Sequence, residues 1–500
     1  MEEKLNQLKT ALAEVYDINF AIDVLNWDHQ VYMPPGGAQA RGEQIATLRR
    51  ISHIKMTSPE IGKLLEDLQP YGDELDPESD DARLIEVTKR EYEKLVKVPP
   101  EHMAEFSQVT TMAYSAWGEA RAESDFAKFQ PYLEKIVGLA RRYVDFFSPY
   151  DHVYDPLLDR WEPGMKTAEV QAIFDGLRTQ QVKLIQNIAE RPQVEASFLF
   201  QPFDEGKQWD FGVEVITKYG YDWKCGRQDK TLHPFTTQFG AGDVRITTRF
   251  DPNYIGSALF GTLHEGGHAI YGQGIPPEFT RSPLGDGASY AFHESQSRMY
   301  ENLVGRSKPF WKHFYPRLQE YFPTELGNID VDTFYKGINK VEPSLIRVEA
   351  DEATYNLHIM LRLELEIALL EGSLEVKDLP EAWNSRMEEY LGLAPPNDAK
   401  GVLQDVHWSS GYFGYFSTYA LGNLVSAQLW ERINADIPDL PDQIRKGEFA
   451  ALLKWLREKV HRHGKKYFPQ DLTQRITGSK IDPAPYMRYL NTKYGEIYGL

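Results

Sequence analysis

Residues 261–271, Gly-Thr-Leu-His-Glu-Gly-Gly-His-Ala-Ile-Tyr, place two histidines four positions apart among small and apolar residues. Positions i and i+4 lie on one face of an α-helix, so His264 and His268 would point in the same direction. Leu263 and Ile270 provide an apolar face against which other elements can pack. The stretch therefore predicts a buried helix that brings two imidazoles close together.

Two adjacent glycines interrupt the good helix formers in this stretch. Gly266 and Gly267 each cost a helix about 1 kcal/mol relative to alanine. Their position predicts that another part of the chain packs close to the helix backbone.

The spacing His-Glu-x-x-His also predicts a metal site. Neutral imidazoles of His264 and His268 suit zinc. Glu265 lies about 100° around the helix from His264, so it can sit beside the metal and accept a proton from a water molecule. The motif thus predicts a metal-activated hydrolytic site with Glu265 as general base.

A catalytic zinc site usually has three protein ligands and one open position. The first candidate for the third ligand is Glu294, which follows a Gly/Pro-rich loop and begins another helical pattern. His293 and Glu301 are the alternatives. His293 could instead be a hydrogen-bond partner of a ligand, and Glu301 could be a surface residue.

Most of the remaining chain has helical periodicity. Apolar residues recur at spacings of three and four over residues 3–25, and similar patterns cover 128–147, 167–190 and 345–371. Pro- and Gly-rich loops occur at 33–37, 274–287 and 393–401, but none is long enough to be a disordered linker. Without repeats or low-complexity tracts, residues 1–500 are expected to form one domain.

Residues 231–250 have a different pattern, because apolar and polar residues alternate on either side of a Gly-Ala-Gly-Asp turn at 240–243. This predicts a β-hairpin. One face would carry Val244, Ile246 and Thr248, and the other Arg245 and Thr247.

Composition excludes several classes of protein. The 500 residues include 55 basic and 74 acidic side chains, a net charge of −19, which disfavours nucleic acid and anionic membranes as partners. Cys225 is the single cysteine, so an intramolecular disulfide and a cysteine-based zinc site are both excluded. The first residues are charged where a signal peptide would be apolar, and we therefore expect a cytoplasmic protein.

Six ordered blocks together resemble the carboxypeptidase Taq family of zinc carboxypeptidases. They are His233-Pro-Phe, Asp243-Val-Arg-Ile-Thr, the His264–His268 helix, His293-Glu-Ser, Ile346-Arg-Val-Glu-Ala-Asp and Gly401-Val-Leu-Gln-Asp-Val-His-Trp. The length and helical character of the whole chain are also similar to those of the family.

The resemblance implies a mainly α-helical body with a deep substrate groove and a small β-sheet near the active site, similar to angiotensin-converting enzyme and neurolysin. The N-terminal helices would cover the groove, and the active-site blocks would lie within 233–420. The implied activity is removal of single C-terminal amino acids from peptides, with broad specificity and proline disfavoured. One zinc ion per chain, replaceable by cobalt, would be held by His264, His268 and Glu294. Homodimers are common in the family.

A carboxypeptidase must also bind the terminal carboxylate of its substrate. The planar guanidinium of arginine matches a carboxylate. Arg347 is the first candidate and Arg245 the second, although Arg347 could form a structural ion pair with an acid and Arg245 could pair with Asp243. His233 belongs to a family block and is a further candidate for substrate binding.

The tetrahedral intermediate needs a hydrogen-bond donor as well. Residues 407–419 contain His407 and three tyrosines, Tyr412, Tyr415 and Tyr419. Related helical peptidases use a histidine and a tyrosine for this purpose, which favours His407 and Tyr415. Many of the 28 tyrosines are nevertheless packing residues.

Other functions remain possible. A zinc endopeptidase or a dipeptidyl carboxypeptidase on the same scaffold would use identical chemistry. A peptide-binding protein without catalysis is a third possibility, although it would not need Glu265.

Overall fold

The computed structural model describes all 500 residues and shows a mainly α-helical chain with one small sheet. The α-helices are α1 Glu2–Val31, α2 Ala38–Met56, α3 Pro59–Glu74, α4 Asp80–Lys97, α5 Pro100–Glu123, α6 Phe126–Asp145, α7 Asp155–Leu158, α8 Thr167–Ala189, α9 Glu205–Tyr219, α10 Ile255–Gly274, α11 Tyr290–Arg298, α12 Lys308–Tyr321, α13 Pro323–Leu326, α14 Val331–Ile338, α15 Tyr355–Glu371, α16 Leu379–Leu391, α17 Ser417–Asp436, α18 Leu440–Arg445, α19 Ala450–Lys459, α20 Pro469–Thr477 and α21 Ala484–Tyr498. A π-helical turn, Met299–Val304, directly follows α11.

Buried apolar side chains form one cluster that extends from Leu5 in the first helix to Tyr498 in the last. α10 and α15 are buried on most of their surface, as expected for helices that are apolar nearly all round. None of the helices has both the length and the apolar character needed to cross a membrane.

Three of the four predicted helical segments match helices of the structure, namely α1, α6 and α8. The fourth begins later than predicted, because α15 starts only at Tyr355. The Asp351 carboxylate accepts hydrogen bonds from the backbone N–H groups of Glu342, Ala353 and Thr354. Such side-chain bonds to the backbone compete with helix formation, and residues 345–354 form a loop that contains one short 3-10 turn, Arg347–Glu349.

The sheet contains the predicted hairpin and one additional strand. Its strands are β1 Gln228–Lys230, β2 Thr236–Gln238 and β3 Val244–Thr248, with β3 in the centre. β2 pairs antiparallel with β3, and β1, which the sequence pattern did not predict, pairs parallel with β3. One edge of β2 therefore has no strand partner.

The two faces of β3 differ less than predicted. Val244, Ile246 and Thr248 are fully buried, and Arg245 is partly exposed, as expected. Thr247, on the same face as Arg245, is also fully buried. Its hydroxyl is satisfied there by Thr231 and by the backbone of the loop before β2.

The end of α1 packs against this sheet. The guanidinium of Arg245 lies 4.4 Å from the ring centre of Trp27, and that of Arg227 lies 5.2 Å from it. The Tyr32 hydroxyl accepts a hydrogen bond from Arg227 and donates one to Asp229. These contacts hold the first helix beside the strands that adjoin α10.

Candidate metal centre

Neighbouring helices approach the backbone of α10 as the two glycines predicted. A Cβ atom on Gly267 would lie 2.6 Å from the carbonyl oxygen of Gln296 and 2.7 Å from Cα of Ser297, both in α11. A Cβ atom on Gly266 would lie 2.9 Å from Cγ2 of Ile216 in α9. The first contact lets α11 bring its own side chains to the histidines of α10.

His264, His268 and Glu294 meet where these two helices cross. One donor atom from each of the three lies within 4.8 Å of the others. Oε2 of Glu294 is 3.7 Å from Nε2 of His264 and 3.6 Å from Nε2 of His268. Tetrahedral ligands about 2.1 Å from a zinc ion are roughly 3.4 Å apart, so the three donors fit a divalent cation of this size and chemistry.

Glu301 orients one of these imidazoles. Its carboxylate lies 2.9 Å from Nδ1 of His264, and only 9% of the residue is exposed. This bond keeps a proton on Nδ1 and leaves Nε2 free to bind a metal. Glu301 is therefore neither a surface residue nor a member of the three-donor group.

Arg298 links the two carboxylates. It donates to Glu294 at 2.6 Å and to Glu301 at 3.2 Å. Burial favours the neutral form of Glu294, but Arg298 and the two imidazoles outweigh it and hold the pKa of Glu294 well below its usual range. Glu294 therefore remains ionised, as a metal ligand must.

Glu265 is not one of the three donors. Its Oε2 accepts a hydrogen bond of 2.6 Å from the hydroxyl of Thr236 on β2, which also bonds the Glu265 carbonyl. Burial raises the pKa of Glu265, while His264 and Thr236 oppose the increase. A buried carboxylate held in this way beside a metal site has the properties of a general base.

α17 supports Glu294 from the other side. A Cβ atom on Gly422 would lie 2.5 Å from Cβ and 2.6 Å from Cγ of Glu294. The close packing of α11 against α17 therefore depends on a residue without a side chain at this position.

His407 and Tyr415 lie together. Their rings stack with centres 5.6 Å apart, and Nε2 of His407 is 3.4 Å from the hydroxyl of Tyr419. Burial lowers the pKa of His407 to about 3 and raises that of Tyr415 well above 10. His407 is therefore neutral and Tyr415 protonated at neutral pH, so both can donate a hydrogen bond.

The segment that carries His407 and Tyr415 is anchored by Glu366 of α15. The Glu366 carboxylate is fully buried and accepts hydrogen bonds from the indole of Trp408, the backbone N–H of Gly414 and the hydroxyl of Tyr154. All three partners are donors, so they require an acceptor on both carboxylate oxygens.

Arg347 lies next to this group and is 5% exposed. Its Nε and Nη2 donate to the carboxylate of Asp405, and Nη1 donates to the hydroxyl of Tyr355 at 2.8 Å. Arg362 binds the same Asp405 carboxylate. Three of the five N–H groups of Arg347 are thus engaged, which leaves one on each terminal nitrogen.

The remaining candidates have other surroundings. Arg245 is paired with Asp243 through two hydrogen bonds of 2.7 and 2.8 Å. His233 is exposed in the loop between β1 and β2. His293 lies 3.7 Å from the Asp286 carboxylate. It is beside His268 but is not one of the three donors.

The sequence analysis did not identify Thr236, Arg298 or Tyr355. Arg298 could have been found, because it follows Glu294 by four residues on the same helical face. No local pattern marks the other two, since each approaches the site from a different element.

Comparison with known proteins agrees with this geometry. The model of the carboxypeptidase Taq (M32) metallopeptidase family matches residues 7–494. Thermostable carboxypeptidase 1 of Thermus thermophilus is 42% identical over 95% of this chain and 94% of its own length. Carboxypeptidase 1 of Bacillus subtilis is 39% identical over 96% of this chain and 95% of its own length.

Solved structures agree over the whole length as well. The M32 carboxypeptidase of Deinococcus radiodurans superposes with a TM-score of 0.96, at 40% identity and with all of both chains covered. The Pyrococcus furiosus carboxypeptidase superposes with a TM-score of 0.95, at 36% sequence identity and with 99% of each chain covered. With a family match over nearly every residue and a three-donor site for the divalent metal that this family requires, the chain belongs to the carboxypeptidase Taq (M32) family and is a metallocarboxypeptidase that hydrolyses peptides.

Proposed function

We propose that the protein releases single amino acids from peptide C-termini, with zinc bound by His264, His268 and Glu294. The observation that carries this proposal is the cluster of two imidazoles and one carboxylate, with a further buried carboxylate, that of Glu265, held beside it. Cobalt would substitute for zinc. We further propose broad specificity with proline disfavoured at the cleaved position, as the family resemblance implies.

A divalent cation in this site would supply Lewis acidity, which polarises a peptide carbonyl and makes a water molecule more acidic. Glu265 accepts the proton of the attacking water on its carboxylate and passes it to the nitrogen of the leaving amino acid. Thr236 keeps this carboxylate in place through its bond to Oε2. Because burial raises the pKa of Glu265, its conjugate acid can hold the proton between the two transfers.

Tyr415 and His407 are proposed to stabilise the oxyanion. Support comes from their protonation states, since a neutral imidazole and a protonated phenol can both donate. Donors already fixed by packing need no reorganisation as negative charge develops. Glu366 contributes indirectly by holding the residues next to each of them.

Arg347 is proposed to bind the terminal carboxylate of the peptide. Asp405 and Tyr355 fix its guanidinium and leave one N–H free on each terminal nitrogen, which is the donor pair that a carboxylate accepts. A buried and immobilised arginine loses little entropy on binding. Binding of the terminal carboxylate by Arg347 would restrict cleavage to the last peptide bond.

The free edge of β2 is proposed to bind the substrate main chain, because extended peptides commonly pair with an exposed strand edge. Main-chain hydrogen bonds carry no side-chain information, in agreement with broad specificity. His233, in the loop before β2, and Arg245, which pairs with Thr237 at the middle of β2, would contact the peptide beside this strand.

The same proposal treats residues 1–500 as one catalytic domain with its N-terminal helices covering the groove. It also includes a cytoplasmic homodimer with neither nucleic acid nor membrane as a partner. Sedimentation of the purified protein at two concentrations tests the dimer.

The experiment that tests the activity uses a peptide and its C-terminally amidated twin. The zinc-loaded protein is incubated with each, and the products are followed by mass. We expect single residues to be lost from the free acid and little from the amide. Loss of dipeptides would support a dipeptidyl carboxypeptidase, and internal cleavage of both peptides an endopeptidase. Glu265→Gln, with zinc still bound, is the control for contaminating peptidases.

A further inference from the structure

A cavity opens in the C-terminal part of the fold, between α17, α19 and α20. Its volume is about 480 Å³, which lies within the range of about 300–1,000 Å³ found for small-molecule sites. None of the residues that line it belongs to the metal centre, to the β-sheet or to the segment of His407 and Tyr415.

The lining of this cavity is basic in a chain whose net charge is −19. Four cationic side chains face two carboxylates, and the cations are Arg432, Lys459, Arg462 and Arg475. Trp455 and Ile476 form an apolar part of the wall. The cavity therefore combines positive charge with a surface on which an organic group can rest.

Two of the four cations are not neutralised by the protein. Arg432 pairs with Asp436 at 2.8 Å, and Arg475 pairs with Glu78. Lys459 and Arg462 have no carboxylate within 4 Å and are exposed at the cavity. Uncompensated cations grouped in a concave site attract anions more strongly than cations on an open surface do.

His463 also lines this cavity and is half-buried. Its pKa is lowered to about 4, mainly by burial and to a smaller extent by Arg462, Lys466 and Arg475. The imidazole is therefore neutral at neutral pH and adds no positive charge to the cavity.

A smaller cavity of about 320 Å³ continues the basic surface. It shares Arg475 with the first cavity and adds Arg83, Arg90 and Lys466. Arg90 has no carboxylate within 4 Å and lies over the ring of Phe468. Arg83 and Lys466 are paired with carboxylates, so Arg90 is the unpaired cation that the smaller cavity adds.

We propose that the larger cavity is a binding site for a small phosphate monoester, with Arg462 and Lys459 as the principal phosphate ligands. Arginine and lysine are the side chains that bind phosphate oxygens through charge-assisted hydrogen bonds. The volume exceeds that of a phosphate ion, and the apolar wall suits the organic part of the ligand. The site is separated from the metal centre by His461, which packs against Tyr271 of α10 while the next two residues line the cavity.

Titration of the zinc-loaded protein with AMP and with inorganic phosphate tests this site, using calorimetry in a phosphate-free buffer. We expect saturable binding of AMP, at least tenfold weaker in the double variant Lys459→Gln/Arg462→Gln. The matched control is Lys312→Gln/Lys336→Gln, which removes two exposed, unpaired lysines on other helices and the same net charge. Peptidase activity should be unchanged in both variants, which confirms that they are folded.

The results distinguish the site from other binding. Binding to the zinc ion would survive in the double variant, so equal affinity in the wild type and this variant would overturn the proposal. An equal loss in the control variant would also overturn it, because the effect would then be one of net charge. Absence of saturable binding of both probes up to about 10 mM would do the same. If phosphate binds as tightly as AMP and shows the same loss in the double variant, the cavity binds the free ion and the proposal of a phosphate monoester is overturned.

Discussion

Replacement of Gly422 by alanine should weaken metal binding although it changes no ligand. The new Cβ would lie 2.5 Å from Cβ and 2.6 Å from Cγ of Glu294. Carbon atoms in contact are normally about 3.5–4.0 Å apart. The stem of Glu294 must therefore move by about 1 Å, or α11 and α17 must separate by that distance.

The size of the effect follows from the narrow tolerance of metal bonds. Ligand distances vary by only about 0.2 Å, so a movement of about 1 Å removes Glu294 from its position. We expect zinc affinity to fall roughly 10- to 100-fold, as for loss of a residue that orients a ligand, or about 1.4–2.8 kcal/mol. Overpacking would cost about 1–3 kcal/mol of folding stability, partly offset by the better helix propensity of alanine.

Competition with a chelating zinc indicator measures the affinity, and thermal unfolding of the metal-free proteins measures stability separately. Gly261→Ala is the matched control, because it lies in α10 and a Cβ there would meet nothing within 4 Å. It should keep wild-type affinity. The reasoning is refuted if Gly422→Ala binds zinc within about twofold of the wild type.

Four further substitutions test the roles assigned above. Glu265→Gln should retain zinc but lower kcat by about 10²- to 10⁴-fold, measured by peptide hydrolysis and metal analysis. Glu301→Gln should weaken zinc binding about 10- to 100-fold in the indicator assay, because the amide no longer accepts the His264 proton as a charged group does. Arg347→Gln should raise KM for the free-acid peptide and reduce its preference over the amidated twin about 10- to 100-fold, since it removes hydrogen bonds to a charged group. Glu366→Gln should lower the free energy of unfolding by about 1–3 kcal/mol and lower kcat with zinc affinity unchanged, because its three partners are all donors.

Particular outcomes would contradict these roles. Full activity of Glu265→Gln would remove it as the base. An unchanged zinc affinity of Glu301→Gln would mean that its contact with His264 is not needed for metal binding. If Arg347→Gln slowed the free-acid and the amidated peptide equally, the role of Arg347 would be structural. A Glu366→Gln protein with lower stability but wild-type kcat would limit Glu366 to folding.

Local sequence patterns predicted those features that depend on the geometry of one element. Helical periodicity alone sets the relative directions of His264, Glu265 and His268. The paired glycines predicted close packing at α10, and the structure has neighbouring helices there. The turn at 240–243 predicted the β2–β3 hairpin, because its residues suit a tight reversal of the chain.

Features that join distant elements could not be read in this way. The strand β1 is only three residues long and is defined by its pairing with β3. The Arg347–Asp405 pair joins residues 58 positions apart, and Thr236 reaches Glu265 from another element. Periodicity gives no information on which elements meet, so these partners were missing from the sequence analysis.

The sequence by itself determined the helix that carries His264 and His268, the helical class and, through ordered motifs, the family. Only the tertiary structure decided that Glu301 is buried against His264, that Gly422 leaves room for Glu294, and that unpaired cations from separate segments surround one cavity. The physical reason is that backbone geometry fixes directions within a helix, whereas burial and charge pairing depend on how the helices pack.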